Sequence, residues 1–197
     1  METKNIMIVG VGGQGTLLTS RILGGLAVRR GFDVKLSEVH GMAQRGGSVV
    51  TFVRYGGSVY EPVIERGQAD VLIAFEQMEA LRYAHFLKKD GVAIINDHRI
   101  APVTVLTGAA EYPENITETL SARFKTVSAD ATAFASQMGA PKAFNIVILG
   151  LAARHLDFSY DDWLSVIETV VPPKTVAINK KAFESGYNWN FNLVNSV

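Results

Sequence analysis

The chain of 197 residues is long enough for one domain, 48% of its residues are hydrophobic, and 19 basic residues balance 19 acidic ones. This balance argues against nucleic-acid and membrane-surface partners, whereas small anionic ligands stay open because a few well-placed donors bind them. The absence of cysteine excludes disulfides, thiolate catalysis and a cysteine-ligated iron–sulfur cluster within this polypeptide.

The first part of the chain predicts a strand, a glycine turn, a helix and a second strand. Residues 5–9 read as a buried parallel strand, and their apolar run is too short for a signal peptide or a membrane span. Apolar residues recur at helical spacing over residues 16–30, Gly31 supplies a stop, and residues 33–39 alternate as a strand. We therefore expect a βαβ unit with a right-handed crossover, in a chain that we place in the cytoplasm.

The middle of the chain predicts a β-hairpin and a further strand–helix–strand unit. Residues 48–55 and 58–63 are β-like runs separated by Gly56-Gly57, a two-residue hairpin signal, and Pro62 favours a sheet edge for the second run. The elements that follow are a buried strand, a helix and two more strands, over residues 71–75, 76–87, 91–96 and 103–106.

The last third of the chain predicts a helical layer. Helical spacing or helix-favouring composition covers residues 115–124, 129–138, 144–156, 161–170 and 174–184. Since there is no internal repeat or long linker, we expect residues 1–197 to form one α/β domain. Its predicted fold is a Rossmann-like, mostly parallel sheet flanked by helices, with a β-hairpin insertion and a helical C-terminal part.

A glycine-rich turn, Gly10-Val11-Gly12-Gly13-Gln14-Gly15, lies between the first predicted strand and the first predicted helix. Glycines permit positive φ and a close backbone approach to a ligand, and the free N–H groups at a helix start can hold an anion. The alternative is a tight turn that only packs a helix onto the sheet. The residues expected to contact a phosphate-bearing group are Gly10, Gly12, Gly13, Gln14, Gly15 and Thr16.

A dinucleotide site needs more than this turn. An acid at the end of the second strand should hold a ribose about 20 residues after the glycines. Glu38 is the only good candidate, and it lies somewhat farther along than expected, which weakens a plain NAD-binding interpretation. No Walker lysine follows the glycines, which argues against nucleotide triphosphate hydrolysis.

A second polar loop, residues 40–47, follows the second predicted strand and should project from the same strand ends as the glycine turn. His40, Gln44 and Arg45 offer a titratable group, an amide and a fixed cation on a flexible backbone, and they are the candidate catalytic residues. The other interpretation is a solvated hairpin entry in which Arg45 pairs with Glu38.

The two loops together resemble the gamma-type subunit or domain of 2-oxoacid:ferredoxin oxidoreductases. The second loop, His40-Gly41-Met42-Ala43-Gln44-Arg45-Gly46-Gly47, is most similar to the beta-subunit version found in the indolepyruvate branch of that family. Residues 70–76 and 179–186 also look family-like, so the resemblance covers most of the chain.

The resemblance implies a complex that oxidatively decarboxylates an aryl 2-oxoacid of the indolepyruvate type to an acyl-CoA and passes electrons to ferredoxin. It places thiamine diphosphate and iron–sulfur clusters on a larger partner subunit, and this chain has no Gly-Asp-Gly run of a thiamine diphosphate–metal site. We expect no cofactor and no metal site here. The chain would be inactive alone, would shape the active site, and would contribute to a coenzyme A channel in which the glycine turn holds the CoA pyrophosphate.

The sequence also allows two other functions and a homodimeric assembly. The chain could instead be a free-standing NAD(P)- or flavin-dependent oxidoreductase on the same fold. It could also be a non-catalytic ligand-binding or assembly module. A homodimer of the chain is a further option, independent of the choice among these functions.

Three other features have competing interpretations. Glu76 follows a predicted strand, and a carboxylate that stabilises a helix N-terminus is favoured over a ligand contact. Asn145 either caps a helix or lines a subunit interface. Tyr187, Trp189 and Phe191 either dock a partner or pack on the chain itself.

Overall fold

The computed structural model describes residues 2–41 and 46–189. Its centre is one six-stranded sheet. The strands are β1 (Lys4–Val11), β2 (Asp33–His40), β3 (Ser48–Gly56), β4 (Ala69–Ala74), β5 (Leu87–Asn96) and β6 (Lys125–Ala129). The helices are α1 (Thr16–Arg29), α2 (Gln77–Tyr83), α3 (Val103–Leu106), α4 (Ile116–Ser121), α5 (Ala131–Gln137), α6 (Phe144–Ala153), α7 (Tyr160–Val170) and α8 (Val176–Tyr187).

The sheet has the order β2-β3-β1-β4-β5-β6. The pairs β1–β4, β4–β5 and β5–β6 are parallel, while β3 is antiparallel to both β1 and β2. Strand β2 therefore runs parallel to β1 but is separated from it by β3. The predicted mostly parallel α/β sheet is confirmed, and its carboxyl edge carries the loops that follow β1, β2, β4, β5 and β6.

Helices cover both faces of the sheet, because successive strand side chains point to opposite faces. In β1, Ile6 and Ile8 belong to the larger core cluster with residues of α1, α6, α7 and α8, whereas Met7 and Val9 belong to the cluster under α2 and α4. Each such fully buried aliphatic side chain contributes roughly 1.5–3 kcal/mol. Nine of the ten residues of α6 are buried, so this helix lies inside the larger layer.

The hairpin is present, but its predicted position over residues 48–63 is wrong. The hairpin joins β2 to β3, and residues 57–68 contain no strand. Both edges of β3 are occupied by β1 and β2, and residues 58–63 pair with no strand of the described sheet. They are held instead as a loop by side chains: Asp33 accepts from the Val59 N–H at 2.8 Å, and Arg54 donates to the Val63 carbonyl at 3.0 Å.

Two further predictions are wrong in the second half. Residues 103–106 form helix α3, none of whose residues is buried, and not a strand. Strand β6 lies between two predicted helices and was not expected there. The predicted helix over residues 76–87 is shorter, since α2 ends at Tyr83 and β5 begins at Leu87. No helix within residues 2–41 and 46–189 has the length and apolar character needed to cross a membrane.

Candidate functional site

The glycine turn begins at Gly10 in the last two residues of β1, and its remaining four residues join β1 to α1. Gly13 has φ +101° and Gly15 has φ +92°, both in the left-handed region that favours glycine. A Cβ on Gly13 would meet no atom within 4 Å, whereas a Cβ on Gly15 would lie 2.1 Å from Nδ2 of Asn145. Gly13 is therefore required by conformation alone, and Gly15 by both conformation and space.

Gln14 and Gly10 stabilise the turn through contacts inside the protein. The Val11 N–H donates to Oε1 of Gln14 at 2.6 Å, and Nε2 of Gln14 donates to the Phe75 carbonyl at 3.1 Å. A Cβ on Gly10 would lie 2.8 Å from Oε1 of Gln14 and 3.2 Å from Cβ of Phe75. The Gln14 amide is thus hydrogen-bonded within the chain, and Gly10 is packed against Gln14 and Phe75. Both residues belong to the predicted phosphate-binding set.

The other four predicted residues line a cavity of about 400 Å³ at the ends of β1 and β2. This volume is within the range of small-molecule sites. The α1 N-terminus opens here, and no side chain caps it. Its first N–H groups and the positive end of the helix dipole are thus directed to one place. The lining consists of Gly12, Gly13, Gly15, Thr16, Leu17, Glu38, His40 and Val49.

Glu38 brings a negative charge to this cavity. Its Oε2 accepts hydrogen bonds from the hydroxyls of Thr16 at 3.2 Å and Thr51 at 3.1 Å. The Thr16 proton is therefore already used, so this hydroxyl offers an incoming anion no donor. An anion in the cavity must rely on backbone N–H groups, with the Glu38 carboxylate as an unfavourable neighbour.

The second loop is tied to the glycine turn and to α2. The Gly12 N–H donates to the Gly47 carbonyl at 2.8 Å. The next residue, Ser48, donates its hydroxyl to the Glu79 carboxylate and lies 3.3 Å from the hydroxyl of Tyr83. Glu79 is buried and is also held by Nε of Arg82 at 3.1 Å. The base of the loop is thus fixed at three points.

The structure describes one of the three candidate catalytic residues, His40. His40 ends β2 at the rim of the cavity, where it is exposed and its Nδ1 lies 3.1 Å from the Gly41 carbonyl. Gln44 and Arg45 lie outside the described residues, and so does the alternative pairing of Arg45 with Glu38. The structure therefore joins His40 to the glycine turn.

Asn145 is the neighbour of the site that sequence reasoning placed elsewhere. It lies in the first turn of α6, is buried, and packs its amide against Gly15. Its Oδ1 is buried without a hydrogen-bond partner in the described part of the chain. No local signal predicts this contact, because the two residues are far apart in sequence.

The favoured interpretation of Glu76 is confirmed. It is the N-cap of α2 and accepts from the Glu79 N–H at 2.9 Å. It also accepts from the Ile100 N–H at 3.0 Å and from the hydroxyl of Tyr112. Burial, together with the hydrogen bond to Glu76, raises the pKa of the Tyr112 phenol.

Two of the three C-terminal aromatic residues pack on the chain itself. The ring centroids of Tyr187 and Tyr160 are 5.1 Å apart, as are those of Trp189 and Phe134. Phe191 lies outside the described residues. The same described part contains no group of three or more His, Cys, Asp or Glu residues that could hold a metal ion.

The family model described as pyruvate ferredoxin/flavodoxin oxidoreductase matches residues 5–189. The chain belongs to this family. The match confirms the resemblance to gamma-type subunits of 2-oxoacid:ferredoxin oxidoreductases and identifies the chain as an oxidoreductase subunit.

Relatives and solved structures of this family cover nearly the whole chain. The protein named indolepyruvate oxidoreductase subunit IorB from Thermococcus kodakarensis is 41% identical over 192 residues, which are 94% of this chain and 95% of that protein. The gamma subunit of a keto/oxoacid ferredoxin oxidoreductase from Geobacter sulfurreducens has a TM-score of 0.68 at 24% identity, covering 93% of this chain and 96% of that one. A 2-oxoglutarate:ferredoxin oxidoreductase from Magnetococcus marinus has a TM-score of 0.74 at 18% identity, covering 95% of this chain and 31% of the longer one.

Proposed function

We propose that the chain is the accessory subunit of a complex that oxidatively decarboxylates an aryl 2-oxoacid of the indolepyruvate type to an acyl-CoA. The observation that carries this proposal is the 41% identity, over 94% of the chain, to a protein named indolepyruvate oxidoreductase subunit IorB. In the proposed complex a larger subunit carries thiamine diphosphate and the iron–sulfur clusters, and electrons leave to ferredoxin. The complex is cytoplasmic, residues 1–197 form a single domain, and the chain is inactive alone.

The chain's own contribution is a wall of the active site and part of the CoA channel. The uncapped N-terminus of α1 suits a pyrophosphate, because its free N–H groups and helix dipole favour negative charge. The Magnetococcus marinus structure, which has CoA bound, shares this fold, and that likeness supports the proposal. His40 ends β2, and Gln44 and Arg45 follow it in the second loop. Gln44 and Arg45 can orient the substrate, and His40 can move a proton.

Recombination of the chain with the larger subunit tests the proposal. Reduction of ferredoxin should require both subunits, CoA and a 2-oxoacid, with indolepyruvate preferred over pyruvate and 2-oxoglutarate. If the purified chain alone oxidises NADH with a carbonyl substrate, the chain is instead a free-standing NAD(P)-dependent enzyme. Light scattering of the isolated chain and of the complex would show whether two copies of the chain associate.

A titration of CoA tests the glycine turn separately. Gly13→Ala adds a methyl group next to the cavity, and Gly67→Ala is its matched control, because both glycines have positive φ and open space around the added carbon. Gly13→Ala and Gly12→Val should raise the Kd for CoA by roughly tenfold, about 1.4 kcal/mol, while Gly67→Ala leaves it unchanged. Equal affinity in all three variants and the wild type would remove the turn from CoA binding.

A further inference from the structure

A second polar cavity of about 290 Å³ lies at the carboxyl ends of β5 and β6. Its walls come from α2, the segment after β5, α4 and β6. Ser128 of β6 pairs with Ile95, which belongs to the core cluster under α2 and α4. The cavity is therefore on the sheet face opposite α1, apart from the glycine turn, and the proposed function leaves it unused.

Two hydroxyl groups in this cavity are buried without a hydrogen-bond partner. Oγ1 of Thr117 and Oγ of Ser128 each expose less than 1 Å², and neither has a partner in the ranges that the structure describes. Both residues line the same cavity. A buried polar atom without a partner costs free energy, so two of them at one place favour a bound molecule with polar groups of its own.

Arg99, which is exposed, presents a cation to the same cavity. Its Nε donates to Oε1 of Gln77 at 2.9 Å, and its guanidinium carbon lies 5.4 Å from the centroid of the Tyr112 ring. The amide of Gln77 in turn donates to Asp97. Within residues 2–41 and 46–189, the terminal nitrogens of Arg99 have no acceptor among the hydrogen bonds and ion pairs. A guanidinium held in this way is oriented in advance for a two-point contact with a carboxylate.

Two exposed carboxylates, Asp97 and Glu118, also line the cavity. With Arg99 they give the site a net negative charge, which disfavours phosphate or a dicarboxylate. A carboxylate that also carries an ammonium group matches both signs. We propose that this cavity binds an α-amino acid, whose carboxylate contacts Arg99 and whose ammonium group faces Asp97 and Glu118. A χ1 rotation of Thr117 and of Ser128 turns their buried hydroxyls into the cavity, where they complete the hydrogen bonds of the amino acid.

Isothermal titration calorimetry of the full chain tests this site with four probes. L-alanine and L-phenylalanine carry both charged groups with a small and a large side chain, propionate lacks the ammonium group, and ethylamine lacks the carboxylate. At least one amino acid should bind with a roughly millimolar Kd or better, and more tightly than propionate or ethylamine. If neither amino acid binds, or if propionate binds equally well, the proposal is wrong.

Two variants and a control locate the binding. Arg99→Gln should weaken amino-acid binding by at least about tenfold, and Thr117→Val, which only removes a hydroxyl, by about fivefold. Thr119→Val on the same helix is the control, because its hydroxyl bonds the Asn115 carbonyl and does not line the cavity. Equal binding in Thr117→Val and Thr119→Val would refute the assignment. CoA binding should be unchanged in all three variants, so the two proposals fail separately.

Discussion

Gly15→Ala is the change whose effect on stability can be derived most directly from the structure. Alanine at φ +92° costs about 1–2 kcal/mol, because its Cβ crowds the backbone in the left-handed region. The same Cβ would also lie 2.1 Å from Nδ2 and 3.2 Å from Cγ of Asn145. Overpacking of this kind typically costs a further 1–3 kcal/mol. We expect the free energy of unfolding to fall by about 3 kcal/mol in total.

Two further variants separate these contributions. Gly13→Ala has a similar φ, +101°, but no atom within 4 Å of the added carbon, so it should cost only the backbone part, about 1–2 kcal/mol. Asn145→Ala in the Gly15→Ala background removes the atoms that clash. It should recover most of the difference between Gly15→Ala and Gly13→Ala, which double-mutant analysis measures as a coupling energy.

Urea unfolding, followed by circular dichroism, gives the free energies of the wild type, Gly13→Ala, Gly15→Ala, Asn145→Ala and the double variant. The slopes against urea should be equal, because the surface exposed on unfolding is unchanged. A loss of about 3 kcal/mol is well within reach of the method, as domains have about 5–15 kcal/mol of stability. Equal losses for Gly13→Ala and Gly15→Ala, or strictly additive effects of Gly15→Ala and Asn145→Ala, would refute the packing argument.

Three further changes test other parts of the fold. Glu79→Gln weakens the contact with Ser48 and should lower kcat/KM for CoA in the complex by about tenfold; steady-state kinetics equal to wild type would contradict this. The buried Tyr55 hydroxyl has no hydrogen-bond partner among the described residues, and burial raises the pKa of this phenol above its usual value of about 10. The phenol therefore ionises first in the unfolded chain, and the free energy of unfolding falls as the pH rises above about 10. Tyr55→Phe should be neutral or stabilising at neutral pH and reduce the alkaline loss in urea unfolding. Gly186→Ala should cost about 3 kcal/mol or more by the same assay, because its Cβ would lie 1.9 Å from the Val147 carbonyl oxygen.

Sequence patterns predicted those helices and strands whose apolar residues match the faces that are buried in the fold. β1 and β4 are apolar runs that become buried on both faces, as expected for parallel strands. β6 has only one large apolar residue, Val127, and becomes a strand because β5 offers it a free edge. Residues 58–63 have a strand-like pattern but pair with no strand, although β2 is an edge strand of the described sheet. Asp33 and Arg54 hold them as a loop instead, so contacts with residues distant in sequence decided both outcomes.

The glycine turn could be predicted because its requirements are local. Positive φ at Gly13 and Gly15 is a property of those residues themselves. The surroundings of the turn could not be predicted, since they come from long-range contacts. Asn145 reaches Gly15 from α6, and Gln14 reaches the Phe75 carbonyl from the turn. Local periodicity contains no information on such pairs, so the sequence predicted the turn without the residues that support it.

Glu38 distinguishes the two ligand chemistries that the glycine turn allows. In a dinucleotide site an acid at this place accepts from ribose hydroxyls, so its removal weakens binding. In the structure one of its oxygens already accepts from Thr16 and Thr51, and it ties β2 to α1 and β3. Towards a CoA pyrophosphate the same carboxylate is repulsive. At high effective dielectric this repulsion is on the order of 0.5–1 kcal/mol.

Glu38→Gln keeps an oxygen that can accept from both threonines and removes the charge. We therefore expect the variant to bind CoA about two- to fivefold more tightly than the wild type, measured by calorimetric titration of the complex. The gain should shrink as salt is raised, because screening weakens the repulsion in the wild type. Weaker CoA binding in Glu38→Gln would show that the carboxylate contacts the ligand, as it does in a dinucleotide site, and would contradict the placement of the pyrophosphate at the glycine turn.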